Sequence, residues 1–179
     1  MYYSTTYPSP VGMLTLACDG SHLTGLWLEG QKYFGGSVAG ELTPAHDLPV
    51  LNAAKGWLDR YFAGQRPSRD ALSLRPAGSA FRQLIWELLQ EIPYGRVVTY
   101  GEIARQAAAR LHRETMSSQA VGSAVGHNPI SIIIPCHRVV GANGSLTGYA
   151  GGVAVKKKLL ELEGADLSGL FVPPSGTAL

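Results

Sequence analysis

The hydrophobic pattern of this chain changes period near residue 78, so one uniform layer of structure cannot accommodate it. Residues 11–34 alternate apolar with small or polar residues and break at Asp19-Gly20 and Gly35-Gly36, the two-residue period and turn chemistry of a β-hairpin or meander. Leu51, Ala54, Leu58 and Phe62 then recur at helical spacing beside Trp57, which predicts a helix over Leu48 to Phe62. Ala63-Gly64-Gln65-Arg66-Pro67 ends that helix, and Ala71 to Leu74 reads as one more short strand. Beyond Pro76-Ala77-Gly78-Ser79 the period becomes helical. Ser79 can cap a helix through Phe81, Leu84, Ile85, Leu88 and Leu89, stopped at Pro93-Tyr94-Gly95. Thr99 can cap a second, carrying Ile103 and Ala107, and Ser117 or Ser118 a third, through Ala120, Val121, Ala124 and Val125.

The expected fold is therefore an α/β N-terminal lobe, a small sheet with one helix over residues 1–75, followed by an all-α C-terminal lobe over residues 76–179. A chain of 179 residues is long enough for two such lobes. The second and third C-terminal helices form either an ordinary αα-hairpin or a helix-turn-helix. Ala120, Gly122, Ser123 and Ala124 fill a core poorly but let backbone approach another surface closely. Arg105, Arg110 and Arg113 just before them could supply a phosphate-binding face. The overall charge of +2 is too small to argue for nucleic acid by itself.

The segment ISIIIPCHRVVGANG, residues 130–144, carries the chemistry. A β-branched apolar run stops at Pro135 and sets Cys136 beside His137 and Arg138, reading as a buried strand end that enters a loop. A buried free cysteine is commonly inert packing, and neighbours on an extended chain point to opposite faces. A strand end at a loop, however, is where reactive groups are displayed. A thiol acts as a nucleophile only as thiolate, so it needs a base within reach, directly or through a water. His137 is the local candidate, and Glu163, ending a predicted helix Val153–Glu163, is a carboxylate able to fix its tautomer. Cys18, in the N-terminal strand region, reads as a packing cysteine, and the two cysteines have neither disulfide-framework nor zinc spacing. The run Lys156-Lys157-Lys158 reads as a solvated helix face. With no leader and no long apolar run, a soluble, cytoplasmic protein is expected.

These residues together resemble a known family, the O6-alkylguanine-DNA alkyltransferases, also called methylated-DNA–protein-cysteine methyltransferases. The resemblance takes in Pro135-Cys136-His137-Arg138-Val139, Gly95-Arg96-Val97-Val98-Thr99-Tyr100-Gly101, Ala120-Val121-Gly122 and Asn128-Pro129. It continues through Gly144-Ser145-Leu146-Thr147-Gly148-Tyr149-Ala150-Gly151-Gly152 and closes on Lys156, Leu159, Leu160, Glu163 and Gly164. Residues 79–164 match in register, whereas residues 1–75 match loosely, mainly at Ser9-Pro10-Val11-Gly12.

The resemblance implies a monomeric DNA-repair protein with a winged-helix-like helix-turn-helix and no cofactor or metal. It binds double-stranded DNA, flips out an O6-alkylguanine, and moves the alkyl group irreversibly onto its own cysteine. By that resemblance Cys136 is the acceptor, His137 its base through a water, and Glu163 the group orienting His137. Tyr100 resembles the tyrosine that hydrogen-bonds guanine N3, and Asn128 the asparagine bracing the active-site turn. Tyr149 and the backbone at Ala150 belong to the loop closing on the base, with Arg138 also on the substrate side. The carbonyls of Cys136 and Val139 resemble those that read the guanine amine. Two departures from the family pattern fall on the DNA side. The segment between Tyr100 and Ala120 is longer than usual, and Gln119, preceding Ala120, stands where arginine is common. The range of alkyl groups and any action on O4-alkylthymine stay open.

Overall fold

The structure is a computed structural model that describes residues 1–174. It divides into two compact units, one of residues 1–77 with 129–133, the other of residues 78–128 with the chain from Ile134 onward.

The first unit is a small mixed sheet carrying one helix. Strands β1 (Tyr2–Ser9), β2 (Gly12–Cys18), β3 (Leu23–Leu28) and β4 (Leu42–Pro44) lie in the order β3-β2-β1-β4. β1 and β2 are antiparallel across the turn that joins them, with Ser9 opposite Gly12 and Tyr3 opposite Cys18. β4 returns parallel to β1. Helix α1 (Pro49–Phe62) starts on a proline whose missing N–H costs nothing at a first helical position. It packs across the sheet, burying Leu51, Ala54, Leu58 and Tyr61 with Leu14, Leu16, Leu26 and Trp27 of the strands. Large apolar side chains buried in this way each contribute about 1.5–3 kcal/mol. Cys18 is fully buried among them, as a packing cysteine would be.

Two local expectations are corrected here. Residues 69–71 form a single 3-10 turn, capped by Ser68, and Leu74 makes only an isolated bridge with Leu23. Ala71 to Leu74 is therefore no strand: the Ser68 hydroxyl takes the Asp70 amide and turns the backbone before a ladder can form. The β-branched run before Cys136 is no strand either. Ile130 bridges Leu26 through the bonds Leu26 N to Pro129 O, 2.8 Å, and Ser131 N to Leu26 O, 3.0 Å. Ile132 then takes φ 70°, a left-handed conformation that costs a β-branched residue of order 1–3 kcal/mol. The run is wholly buried, but it turns where a strand would continue.

The second unit contains helices α2 (Ala80–Gln90), α3 (Tyr100–Arg110), α4 (Ser118–Gly126) and α5 (Val153–Leu162). The polar side chains named from sequence do cap them. Ser79 accepts from Arg82 N, Ser117 from Ala120 N, and Thr99 forms a reciprocal capping box with Glu102. The small residues of α4 have a packing consequence: Gly122 and Ala124 are buried, and the Trp86 indole of α2 donates to Ala124 O at 2.9 Å. The unit is not purely α, because β5 (Val98–Thr99) pairs in parallel with β6 (Val139–Val140). That short ladder joins the start of α3 to the segment that follows Cys136, and so helps to fix the cysteine relative to Tyr100.

Candidate active site

Cys136, His137 and Arg138 form one 3-10 turn that leads directly into β6. Successive residues on such a turn are about 120° apart, not opposed as on a strand. Asn128, just beyond the end of α4, holds the approach to this turn, donating through Nδ2 to Ile134 O at 2.8 Å. All four residues are buried, and His137 has no solvent exposure at all.

Glu163, the residue capping the C-terminal end of α5, is the hub of the site. Its Oε2 lies 2.6 Å from His137 Nε2, and its Oε1 accepts from Arg138 Nε at 2.8 Å. Arg138 adds a second bond to Oε2 at 3.2 Å, and the Gly95 amide donates to Oε1 at 3.1 Å. Gly95 has φ 77°, and a Cβ there would stand 2.9 Å from Glu163 O, so glycine is what lets this turn come close enough to donate. Burial alone would raise the Glu163 carboxyl, but the His137 hydrogen bond and the Arg138 guanidinium outweigh it and hold the group far below the ordinary carboxylate range. Burial also lowers His137, against the pull of Glu163 and with help from the charges of Arg138 and Lys156. The imidazole is therefore neutral near pH 7. Since a carboxylate only accepts, Nε2 carries the proton, and Nδ1 is left as a lone-pair acceptor. Nδ1 is buried and makes no hydrogen bond to any described residue.

The thiol has opposing influences. Burial pushes Cys136 up from its ordinary value, while the Asn128 side chain, the Lys156 charge and nearby backbone amides favour the thiolate. Burial wins, so the resting group is a thiol and requires a base at the moment of reaction. Tyr100, first residue of α3, donates its hydroxyl to Thr147 O at 3.1 Å. Burial and the Cys136 charge raise its pKa, keeping it a proton-bearing donor. A hydrogen-bonded carboxylate–imidazole pair beside a buried thiol, with a phenol donor nearby, is suited to taking an electrophilic carbon onto sulfur.

Comparison with known proteins agrees with this chemistry. Residues 80–165 match the model of the DNA-binding domain of 6-O-methylguanine DNA methyltransferases, and residues 1–76 match that of their ribonuclease-like domain. The chain belongs to the 6-O-methylguanine DNA methyltransferase family. It is 42% identical over 161 residues to the methylated-DNA–protein-cysteine methyltransferase of Haemophilus influenzae, covering 90% of this chain and 86% of that protein. The corresponding Mycobacterium bovis protein is 46% identical over 167 residues, covering 91% and 93%. Among solved structures, the Mycobacterium tuberculosis O6-methylguanine methyltransferase superposes with a TM-score of 0.77 at 45% identity, covering 94% of this chain and 98% of that one. A second structure of the M. tuberculosis protein, OGT in complex with DNA, gives 0.76 at 45% identity, covering 91% and 92%.

Against this methyltransferase background the remaining sequence candidates separate into two places. Gln119 and Ala120 are exposed on the first turn of α4, while Val121, Ala124 and Val125 face inward. Tyr149 is buried and Ala150 half-buried, on the loop between β6 and α5. The loop is tied down from the far side: Leu146 N donates to Phe171 O at 2.9 Å and Phe171 N to Gly144 O at 3.1 Å. Arg138 is a correction. It was expected on the substrate side, but its guanidinium is turned inward onto Glu163 and donates to Ile92 O at 2.7 Å. The guanidinium fork supplies the counter-charge that the buried Glu163 carboxylate needs, and that holds it inside.

Lys156 is the other correction, and sequence reasoning missed it. Lys157 and Lys158 are exposed, as a solvated face requires, but Lys156 has no solvent exposure. The signal was present. Lys156, Leu159, Leu160 and Glu163 recur at i, i+3, i+4 and i+7, which puts the lysine on the buried stripe of α5 and not on the face of its two neighbours.

Proposed function

We propose that this chain repairs DNA by direct reversal, accepting the alkyl group of an O6-alkylguanine on its own Cys136, once per molecule. The observation that carries the reading is the 2.6 Å contact between His137 Nε2 and the Glu163 carboxylate, which sets the tautomer. Glu163 holds the Nε2 proton, so Nδ1 is the buried acceptor, and it takes the Cys136 proton through a water molecule. The resulting imidazolium is stabilised by the carboxylate 2.6 Å away. The thiolate then attacks the O-alkyl carbon: an S–C bond forms, the C–O6 bond breaks, and the bond pair stays with guanine, which takes up one proton. The guanine is the leaving group, so a proton donor near its ring lowers the barrier. Tyr100 serves as a hydrogen-bond donor at N3 and stays a phenol, while the proton that guanine takes up is the one Cys136 released. Its single O–H must then leave Thr147 O for the base. The Val139 carbonyl accepts the guanine amine, Tyr149 packs on the flipped ring, and the Ala150 backbone meets O6.

The same reading makes α3 and α4 a helix-turn-helix, with α4 entering the duplex. Support comes from the outward placement of Gln119 and Ala120 and from exposed Arg105 and Arg113; Arg110 is already paired with Glu91 at 2.7 Å. Flipping a base costs roughly a few kcal/mol, least for a damaged pair.

Intact mass after incubation with an O6-methylguanine duplex tests the reaction. The expected result is a gain of one methyl group per chain, mapped to the peptide holding Cys136. Repeated turnover, or methyl on Cys18, contradicts it. A separate test concerns Gln119, whose uncharged amide can still pair with an orphaned cytosine but reaches less far than arginine. Gln119→Ala should depress the rate on alkylated duplex severalfold and spare the rate on free O6-benzylguanine, which needs no flipping. Gln119→Arg should raise the duplex rate. Equal effects on both substrates would remove Gln119 from the flipping step.

A further inference from the structure

The chain goes on packing after α5 ends. Gly164, at φ 71°, closes the helix, with Gly164 N on Glu161 O and Ala165 N on Leu160 O, both at 3.0 Å. Ala165, Leu167 and Leu170 then lie half-buried against Val140, Leu146 and Leu160. Asp166 holds the turn between them, taking the Ser168 amide at 2.9 Å and its hydroxyl at 2.6 Å. Phe171 finishes the segment with a parallel bridge to Ser145, made by its two backbone bonds to Gly144 O and Leu146 N. A Cβ on Gly144 would stand 2.0 Å from Gly169 O, so only glycine lets the two stretches of backbone come this close. The residues that match the family's DNA-binding domain stop at 165, and everything from Asp166 onward lies beyond them.

Gly144 to Leu146 is the stem of the loop that, on the transfer reading, closes on the base. Tyr149 and Ala150 follow Leu146 by three and four residues, and a fixed stem leaves so short a span few conformations. Resting on that reading, we propose that residues 165–171 are a specificity-determining strap. Leu167 and Leu170 seat it, the Phe171 backbone pins Gly144 and Leu146, and the pinned loop favours a small O6-alkyl group over a bulky one. The alkyl carbon hangs on O6, beside the Ala150 backbone, so any give in the loop is felt where alkyl groups differ in size. A held loop meets a methyl group with little left to order. The same stiffness works against a group that needs the loop to move outward. The strap matters most during the reaction. When Tyr100 turns its O–H to guanine, Thr147 O gives up one of its two hydrogen bonds, whereas the bonds at Gly144 and Leu146 are untouched.

The test compares single-turnover transfer to Cys136, read by intact mass, from duplexes carrying O6-methylguanine or O6-benzylguanine. Phe171→Pro removes the N–H that binds Gly144 O, and the ring it replaces is 42% exposed, so little packing goes with it. Leu170→Ser unseats the strap from its apolar side instead. In each, methyl transfer should slow severalfold and the benzyl-to-methyl rate ratio should rise about threefold or more. Phe171→Leu, which keeps both backbone bonds, should retain the native ratio. A tail that only adds stability lowers the unfolding midpoint and leaves the ratio alone. An unmoved ratio in whichever of the two variants folds overturns the strap, as does Phe171→Leu behaving like Phe171→Pro. In native protein the Leu146 and Phe171 amides should open to hydrogen exchange together, and a Leu146 amide exchanging at the open-chain rate overturns it as well. Native protein that takes neither group on Cys136 sinks the transfer reading instead, so the two failures are distinct.

Discussion

Cys136→Ala is expected to lose all alkyl transfer and still bind alkylated duplex about as tightly as native protein. The acceptor atom is sulfur, and no other group at the site can replace it. Tyr100 is held as a phenol by burial, and Lys156 has its hydrogens on two carbonyls. Cys18 belongs to the other unit and is fully buried. The substitution removes one atom from a side chain that is 6% exposed, so the cost in stability is about 1 kcal/mol, small against a typical domain stability. On the proposed reading, binding rests on α4, the loop before α5 and backbone carbonyls, and none of these contacts uses the Cys136 sulfur. Transfer assayed by intact mass and binding assayed by fluorescence anisotropy should therefore separate. A variant that transfers at all, or that loses binding along with transfer, contradicts the assignment.

Glu163 variants are expected to have two effects, on stability and on rate, because one carboxylate serves two cations or potential cations. Glu163→Ala leaves the Arg138 guanidinium buried without its anion and the Gly95 amide without an acceptor. Removing one partner from such a buried pair costs about 3–5 kcal/mol, enough to lower the unfolding midpoint by many degrees. Glu163→Gln keeps the shape and an acceptor for Arg138. Its amide can donate to His137 Nε2, which moves the imidazole proton to Nδ1 and removes the acceptor the thiol needs. Alkylation should slow by roughly 10²–10⁴, the usual contribution of a general base. His137→Phe should slow it similarly without the ion-pair penalty. Equal rates for all three proteins would dismiss the proposed relay.

The pH dependence of stability has the same origin. His137 in the folded state lies below its ordinary 6.5, and Glu163 below its ordinary 4.5. In each case the unfolded chain binds more protons than the folded one, so stability rises with pH and is lost on acidification. The loss should begin as pH falls through about 6.5, from His137, and steepen below about 4.5, from Glu163. Thermal unfolding of Glu163→Gln should show a shallower decline below pH 4.5 than native protein. A native unfolding midpoint that stays flat from neutral pH down to pH 4 would contradict the neutral, buried imidazole.

Much of this was readable without coordinates. Periodicity found α1 to α5 within about a residue or two, because helices bury one stripe and their caps are chosen by side-chain chemistry that acts locally. Ser79, Thr99 and Ser117 need only the amides of the next turn. The hairpin β2–β3 was legible for a similar reason, since alternation and turn residues are both local. β1 was passed over because its tyrosines are half-buried and its Tyr, Ser and Thr residues give little apolar alternation, and β4 is too short to carry a pattern. The identity of the nucleophile and its base came from the spacing and the family resemblance of one short segment.

Tertiary structure decided everything that depends on which long side chains go inside. An arginine and a lysine look alike in a sequence whether they meet solvent or a carboxylate. Arg138 is drawn inward by Glu163, and Glu163 is tolerable inside because Arg138, His137 and the Gly95 amide satisfy it together. No member of that set is stable there alone, so none announces itself. Lys156 is buried by its place on the α5 stripe and kept there by two carbonyls, one on β6 and one on the loop before α5. The β-branched run before Cys136 has strand propensity throughout, but it has only a single ladder position, Leu26, to pair with, and its backbone turns at Ile132. The sequence by itself named the candidate reacting atoms, through residue type, short spacing and the family resemblance. The charges around those atoms, and hence their protonation, come from residues distant in the chain and were decided only when the fold buried them together.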